Sequence, residues 1–423
     1  MKVDILAIGS ELLYGDIVNG NAAWLGQRLS EIGAVVKNSA VVGDDVSDIA
    51  EAIQAAMVRS EALIITGGLG PTQDDLTREG LALAAGVALK RDPEIEEALF
   101  SRFRRLRRDV PEMNFRQADV PEGAWTIPNG NGSAPGLGME ALGGLIFCLP
   151  GVPHEMMPMV IESVLPLLVA RDPEPAVVLH RIIRTSGMWE SAVAEAMAPE
   201  VDRLEAAGNP VIAFLASGGM TRVKITARAT TAEAAEALAA PVERFALAAL
   251  GPAVFGIDDD TLEKTLLSLL IDRGETVATA ESLTGGLLSA RLVGTPGFSS
   301  VIKGGLVTYA PDLKRALLGV GDQVIEAHGV VSAACVAAMA QGARERCDST
   351  YALAVTGVAG PDELEGHPVG TVFIGLAHPD GCETRLLKLP GDRERIRDYS
   401  CVAAIDLLRR FLLDPDDVVG SEG

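Results

Sequence analysis

Apolar runs alternate with amphipathic stretches through the first part of the chain. Residues 3–8 read as an aliphatic strand that ends in Gly9-Ser10. Residues 21–32 have helical spacing, with Ala22, Leu25 and Leu29 on one face. A second strand is predicted over 35–42, a second helix over 48–58, and a third strand over 62–66 that runs into Gly67-Gly68-Leu69-Gly70. A short strand over 145–149 ends in Pro150-Gly151, and a helix from about Glu155 closes the unit. Strand and helix in strict alternation predict a parallel sheet with crossover helices.

The pattern then changes. Arg171, Asp172, Pro173, Glu174 and Pro175 read as a linker. A strand over 178–185 and a helix over 189–198 follow. Two strands, 210–216 and 222–229, flank Ser217-Gly218-Gly219-Met220, and an Ala-rich helix covers 232–250. Beyond a second boundary at 256–260 the alternation resumes: helix 262–273, strands 276–280, 305–309, 352–356 and 371–377, and a last helix over 396–412. The acidic tail from Asp414 is expected to fray. The predicted domains are 1–170 (parallel α/β), 171–256 (small α+β) and 257–414 (α/β). There is no internal repeat or low-complexity tract.

Composition supports this layering. Apolar residues make up 48% and aromatics only 4%, so aliphatic side chains must build the cores, as in buried parallel sheets. A net charge of -22 repels phosphodiester backbones and argues against nucleic acid as a partner. Small phosphorylated ligands stay compatible, because single cations and backbone amides hold them. Cys148, Cys335, Cys347, Cys382 and Cys401 are scattered without a CxxC pair, which predicts reduced core thiols in a cytoplasmic protein. The start of the chain does not read as a signal peptide. The most apolar later stretch, 156–169, is broken by Glu162 and two prolines, so no membrane partner is expected.

Two groups of strand-end loops carry candidate chemistry. In the last domain, Ala280-Glu281-Ser282-Leu283-Thr284-Gly285-Gly286 lies where a strand feeds a helix. Ser282 there is either a helix cap, the commoner role of serine at such a turn, or a nucleophile facing exposed amides. Lys314, five residues after Tyr309, is either a solvated helix-start lysine or a base to that serine. Thr356-Gly357, Arg393 and Arg397 sit at further strand ends, and the loops together predict one cleft at a sheet edge.

In the first domain, the glycine amides of 67–70 form an anion-binding nest. Asp74-Asp75 beside it suits a divalent cation such as Mg2+, although Asp74 could equally cap a helix. Gly9-Ser10-Glu11, Asn19, Asn21, Asp44, Asp45 and residues 149–155 supply further polar loops. In the middle module, Arg222, Lys224 and Arg228 alternate along a strand as a solvated face, and His180 and Trp189 read as packing residues.

These motifs, in this order, resemble the CinA (competence/damage-inducible protein A) family. Ala-Glu-Ser-Leu-Thr-Gly-Gly, Gly-Gly-Leu-Val-Thr-Tyr with Lys314, Thr-Gly-Val-Ala-Gly-Pro, Pro-Val-Gly-Thr and Gly-Asp-Arg resemble its C-terminal nicotinamide-nucleotide amidohydrolase domain over about 258–412. Gly-Ser-Glu-Leu-Leu, Thr-Gly-Gly-Leu-Gly-Pro-Thr and Pro-Gly-Val-Pro resemble its molybdopterin-binding-like N-terminal domain, and 171–256 its KH-like module.

For the C-terminal domain the resemblance implies deamidation of nicotinamide mononucleotide without a cofactor. Ser282 would attack the carboxamide carbon, Lys314 would activate it, and Tyr309 would assist proton transfer to ammonia. Amides after Ser282 would form the oxyanion hole, with Thr284, Gly285, Gly286 and Gly357 lining the site. Ser299, Thr356 and Arg393 would hold the nucleotide, with Arg393 or Arg397 on its phosphate.

For the first domain it implies metal-dependent hydrolysis of ADP-ribose. Asp74, Asp75 and Asp44 or Asp45 would hold Mg2+ or a similar cation. Ser10, Gly67, Gly68 and Gly70 would contact phosphates, and Thr66, Thr72 and Asn21 the rest of the nucleotide. Glu11 and Glu155 would act on water or ribose. A homodimer is implied, with the middle module an inert spacer or dimer contact. Other expectations are a molybdopterin-binding role in cofactor biosynthesis, or a non-catalytic accessory of DNA uptake or recombination.

Overall fold

The computed structural model describes residues 1–105, 111–173 and 176–415. Linker positions 174 and 175 and most of the acidic tail, 416–423, lie outside the described residues. The chain divides into two compact units, 1–179 with 227–237, and 180–226 with 238–423.

In the first unit, strand β1 (Lys2–Ile8) is followed by helix α1 (Gly20–Glu31), β2 (Val35–Val42), α2 (Val46–Arg59), β3 (Ala62–Thr66) and α3 (Thr77–Ala85). Strands β4 (Trp125–Ile127), β5 (Gly136–Ala141) and β6 (Gly144–Leu149) complete a sheet of order β2-β1-β3-β6-β5-β4. The first four of these run parallel; β5 and β4 are antiparallel additions.

Local chemistry explains the elements. Asn19 caps α1 by accepting from the Ala22 amide, and Leu25 and Leu29 are buried on the predicted face. Asp45 caps α2 by accepting from Ser47 and Asp48, so α2 begins earlier than its apolar pattern indicates. Asp4, the acid inside β1, is buried against Arg59 at 2.6 Å and Ser60 at 2.5 Å. Sequence periodicity missed β4 and β5. β4 has only three residues and β5 carries two glycines in place of an aliphatic run; Gly138 must be glycine because a Cβ there would lie 2.2 Å from the Trp125 ring.

The second unit contains most of the middle module, whose residues 177–179 and 227–237 group with the first unit, and the C-terminal domain. Strand β7 (Val177–Ser186), helix α4 (Glu190–Glu205), β8 (Val211–Ser217), β9 (Met220–Ala229), α5 (Ala232–Leu250) and β10 (Val254–Ile257) give a sheet of order β8-β9-β7-β10. Ser217 pairs with Met220 across Gly218 and Gly219, both at positive φ. That is a two-residue hairpin turn, as predicted. Helix α4 runs through Pro199, where the predicted helix stopped. Trp189 was expected to pack, yet it is 62% exposed, because it stands just before α4 rather than on its buried face.

The C-terminal domain is built from α6 (Leu262–Arg273), β11 (Val277–Glu281), α7 (Leu287–Val293), β12 (Ile302–Val307), α8 (Pro311–Leu318), α9 (Ala333–Cys347), β13 (Tyr351–Gly357), β14 (Thr371–His378), β15 (Gly381–Lys388) and α10 (Arg393–Leu413). Its sheet has the order β12-β11-β13-β14-β15, the first three parallel and the last two antiparallel. Leu266, Leu270, Ile405 and Leu408 cover one face, and Val336, Met339 and Ala340 the other. Parallel β11, β12 and β13 therefore end side by side on one edge.

The end of β7 is tied to α10 through buried Asp406. Its carboxylate accepts from Ser186 Oγ at 2.7 Å, Arg409 Nε at 2.8 Å and Arg410 Nε at 2.9 Å. All five cysteines are free thiols, with Cys335 and Cys401 in the cores on opposite faces of the sheet. Among the described residues no helix is long and apolar enough to cross a membrane.

Candidate active site

The strand-end loops of the C-terminal domain converge on Ser282. The segment 282–286 is a turn, and α7 starts only at Leu287, so Ser282 is not the helix cap. Its amide donates to Val355 O at 2.9 Å. Its Oγ lies 2.9 Å from Lys314 Nζ. Lys314 is only 1% exposed, which removes the solvated-lysine alternative, and Nζ also donates to Thr308 O at 2.7 Å. Burial pushes the Lys314 pKa below its ordinary value; Cys335 and Glu365 oppose this more weakly. A lysine so displaced more readily presents the neutral amine that a base requires. The Cys335 thiol is itself pushed up by burial, which favours its neutral form.

The turn selects which amides can face a ligand. Buried Glu281 accepts from the amides of Gly286, Leu288 and Ser289 at 2.9, 3.0 and 2.8 Å. Gly285 N donates to Ser282 O, and Leu287 N to Thr284 O. Gly285 and Gly286 both hold positive φ, which the tight turn needs and other residues resist. The expectation that several amides after Ser282 serve an oxyanion hole therefore narrows to Leu283 and Thr284. Glu281 stood in the motif without a role in the sequence reading. An acid immediately before a glycine turn and a helix start was the available signal.

Other predicted residues are placed unevenly. Arg397 donates to Thr284 O at 2.6 Å, against the turn that carries Ser282. Arg393 donates to Gly360 O at 2.6 Å and to the Tyr309 hydroxyl at 3.0 Å. Tyr309 is 57% exposed, and its hydroxyl is engaged with Arg393 at the rim rather than with the Ser282–Lys314 pair. The Thr356 hydroxyl donates to Val330 O at 2.8 Å, and Gly357 lies against Thr371 and Val372, where a Cβ would clash. Ser299 is a correction. It sits exposed in the short 3-10 turn Phe298–Ser300 before β12, whereas the site lies beyond the other end of that strand. Six strand residues separate the two edges by roughly 20 Å.

A separate cleft of about 1130 Å3 in the same unit is walled by the Gly218-Gly219 hairpin, Trp189, Arg397 and Tyr399; neither Ser282 nor Lys314 lines it.

In the first unit, Ser10, Asp44, Gly67, Gly68 and Gly151 also gather at one strand edge. Ser10 donates to Asp44 from its amide at 2.9 Å and from its hydroxyl at 2.7 Å. Gly67 must be glycine, since its φ is 102° and a Cβ would lie 2.2 Å from Ile8 O. Asn21 donates to Gly151 O at 2.7 Å, while its own Oδ1 is buried without a partner. Thr66 is buried at the end of β3. Glu155 accepts from Asn129 at 2.6 Å, and Glu11 is exposed.

The acids expected to bind a cation do not form a cage. Asp75 is spent on its own loop, accepting from Gly70 N, Thr72 N and Thr72 Oγ1. Asp45 caps α2, and Asp74 is exposed. Among the described residues no three His, Cys, Asp or Glu side chains are arranged to hold a metal ion. The donor set as arranged does not fit a carboxylate-held cation. Arg78, unnoticed in the sequence, is buried and donates to Leu69 O and Gly70 O, fixing the glycine loop from within.

The fold and this site define a multidomain α/β protein with a partly exposed serine set against a buried lysine at a parallel strand edge. Residues 259–412 match the CinA C-terminal domain family, 180–256 the CinA KH domain, and 4–170 the probable molybdopterin binding domain. A CinA-like protein of Frankia casuarinae is 57% identical over 97% of this chain and 96% of its own length. One from Parasynechococcus marenigrum is 41% identical over 97% and 98%. The solved structure of CinA of unknown function from Thermoplasma acidophilum aligns at 32% identity and TM-score 0.37, covering 39% of this chain and 97% of that one. The chain belongs to the CinA family.

Proposed function

We propose that the C-terminal domain is a serine amidase that converts nicotinamide mononucleotide and water to nicotinate mononucleotide and ammonia. The observation that carries this reading is the 2.9 Å contact between Ser282 Oγ and the buried Nζ of Lys314. Neutral Lys314 takes the Ser282 proton as Oγ attacks the carboxamide carbon. The amides of Leu283 and Thr284 face the developing oxyanion. The C–N bond then breaks, and the proton held on Lys314 leaves with ammonia. Water, deprotonated by Lys314, cleaves the acyl ester and restores Ser282. Arg393 and Arg397 at the rim give the nucleotide phosphate its cationic partners.

The test is ammonia release from nicotinamide mononucleotide by the native chain and Ser282→Ala, with and without EDTA. EDTA-resistant release that the variant abolishes supports the reading; no release by the native chain ends it. For the first unit we propose a separate nucleotide site at the Ser10–Gly67–Gly151 edge, with ADP-ribose as its substrate. The buried, unpartnered Oδ1 of Asn21 beside Gly151 favours a polar ligand there. AMP formation from ADP-ribose by the Ser282→Ala chain, lost in Asn21→Leu, is the corresponding measurement.

A further inference from the structure

Glu281 is fully buried and directly precedes the nucleophile. A carboxylate so placed is costly unless its oxygens find donors. Here it has four: Gly286 N and Leu288 N on Oε2, and Ser289 N and Ser289 Oγ on Oε1, the last at 2.5 Å. Ser289 has one hydroxyl proton and gives it to Glu281. Thr279 Oγ1, 2.7 Å from Ser289 Oγ, must therefore be the donor in that contact. Two hydroxyls thus feed one carboxylate. Gly305 on the neighbouring strand leaves room for them, since a Cβ there would lie 2.3 Å from Ser289 Oγ and 2.7 Å from Thr279 Oγ1. On the main chain, Glu281 O accepts from Thr308 N at 2.8 Å, and Thr308 O in turn accepts from Lys314 Nζ.

We propose that Glu281 is the positioning residue of the serine–lysine pair. Its carboxylate closes the 282–286 turn that presents Ser282, and its carbonyl fixes the segment that anchors Lys314. By occupying the first amides of α7 it acts as an internal anion. A substrate anion is thereby excluded from that helix start, and the developing oxyanion is left to Leu283 and Thr284. The proposal rests on Ser282 being a nucleophile, not on which amide it attacks.

Glu281→Gln in the full chain tests it. The carboxamide keeps the shape but turns an NH2 toward groups that are themselves donors. Ser282 nucleophilicity is read by the rate of labelling with a fluorophosphonate: the Oγ–P bond forms, the P–F bond breaks, and fluoride leaves while Lys314 takes the serine proton. Labelling is expected to fall roughly 100-fold, the scale of an ångström's misplacement. The kcat for nicotinamide mononucleotide should fall in parallel with KM little changed, whereas general loosening of the domain would raise KM as well. Ser289→Ala, which removes one hydroxyl donor, should give an intermediate rate. Native-rate labelling by a folded Glu281→Gln chain overturns the proposal. If that chain does not fold, native-rate labelling by Ser289→Ala overturns it instead. If the native chain releases no ammonia yet labelling still falls in the variants, the amidase reading fails and the positioning role stands.

Discussion

Replacing Lys314 with methionine separates catalysis from folding in opposite directions. Methionine matches much of the aliphatic stem and removes the charge, and at 1% exposure the site has almost no solvent contact to lose. The rate should fall by about 10²–10⁴, the usual contribution of a positioned base, or about 3–5 kcal/mol of barrier. Stability should move the other way. Burial holds the folded pKa of Lys314 below its ordinary 10.5. Between the folded and unfolded values the unfolded chain binds more protons, so native stability rises with pH across that window. Below the folded value the cost of burying the ammonium is felt in full. Lys314→Met lacks that cost, so at neutral pH it should unfold at a temperature no lower than the native chain, and the difference should turn against it as pH rises toward 10.5. Native amidase activity should climb with pH through the depressed lysine pKa, as the amine loses its proton. Ammonia release across pH 6–10 and thermal melts at pH 7 and 10 supply the data. A variant retaining more than a tenth of the native rate, or native activity that falls as pH rises from 6 to 9, refutes the base assignment.

Two further outcomes follow from the same contacts. Asp406→Ala leaves buried Arg409 and half-buried Arg410 without their shared carboxylate and should destabilise the second unit by about 3–5 kcal/mol, read as an earlier denaturant transition; an unchanged midpoint contradicts the network around Asp406. Tyr309→Phe removes only an exposed bond to Arg393, so kcat for nicotinamide mononucleotide should drop less than about ten-fold; a loss as large as that of Lys314→Met would return Tyr309 to direct proton transfer.

The parallel strands of the first unit were legible because they are largely aliphatic runs that lead into glycine-bearing loops, and periodicity reports that directly. Leu25 and Leu29 fall on the predicted face of α1, and Ala62–Thr66 runs as one buried strand into its glycine loop. The strands over Trp125–Ile127 and Gly136–Ala141 were not legible. The first has only three residues, the second is broken by two glycines and Glu140 rather than being an aliphatic run, and their packing depends on glycine fitting a ring from a neighbouring strand, which is a tertiary fact. At the site, Ser282 and Lys314 could be singled out by type and order, but the choice between cap and nucleophile turns on where α7 begins. That start, at Leu287, is set by Glu281 and two glycines at positive φ rather than by apolar spacing. Ser299 failed for a related reason: proximity in sequence to β12 does not say at which end of the strand a residue stands.

The two glycine loops look alike in sequence, and the structure shows why they do not support equal conclusions. In each, a strand ends in small residues and an acid follows or precedes. In the first unit the acid, Asp75, turns back onto Gly70 and Thr72, and Arg78 takes the carbonyls of Leu69 and Gly70. Much of the loop's polar capacity is thus used internally, and the acid intended for a cation is spent. In the C-terminal domain the acid, Glu281, takes the later amides and leaves those next to Ser282 free, with a lysine behind the hydroxyl. The same local chemistry rigidifies one loop and equips the other. The discriminating feature is which donors the acid occupies, so a glycine-rich strand end becomes an argument for catalysis only once its carboxylate has been traced to its partners.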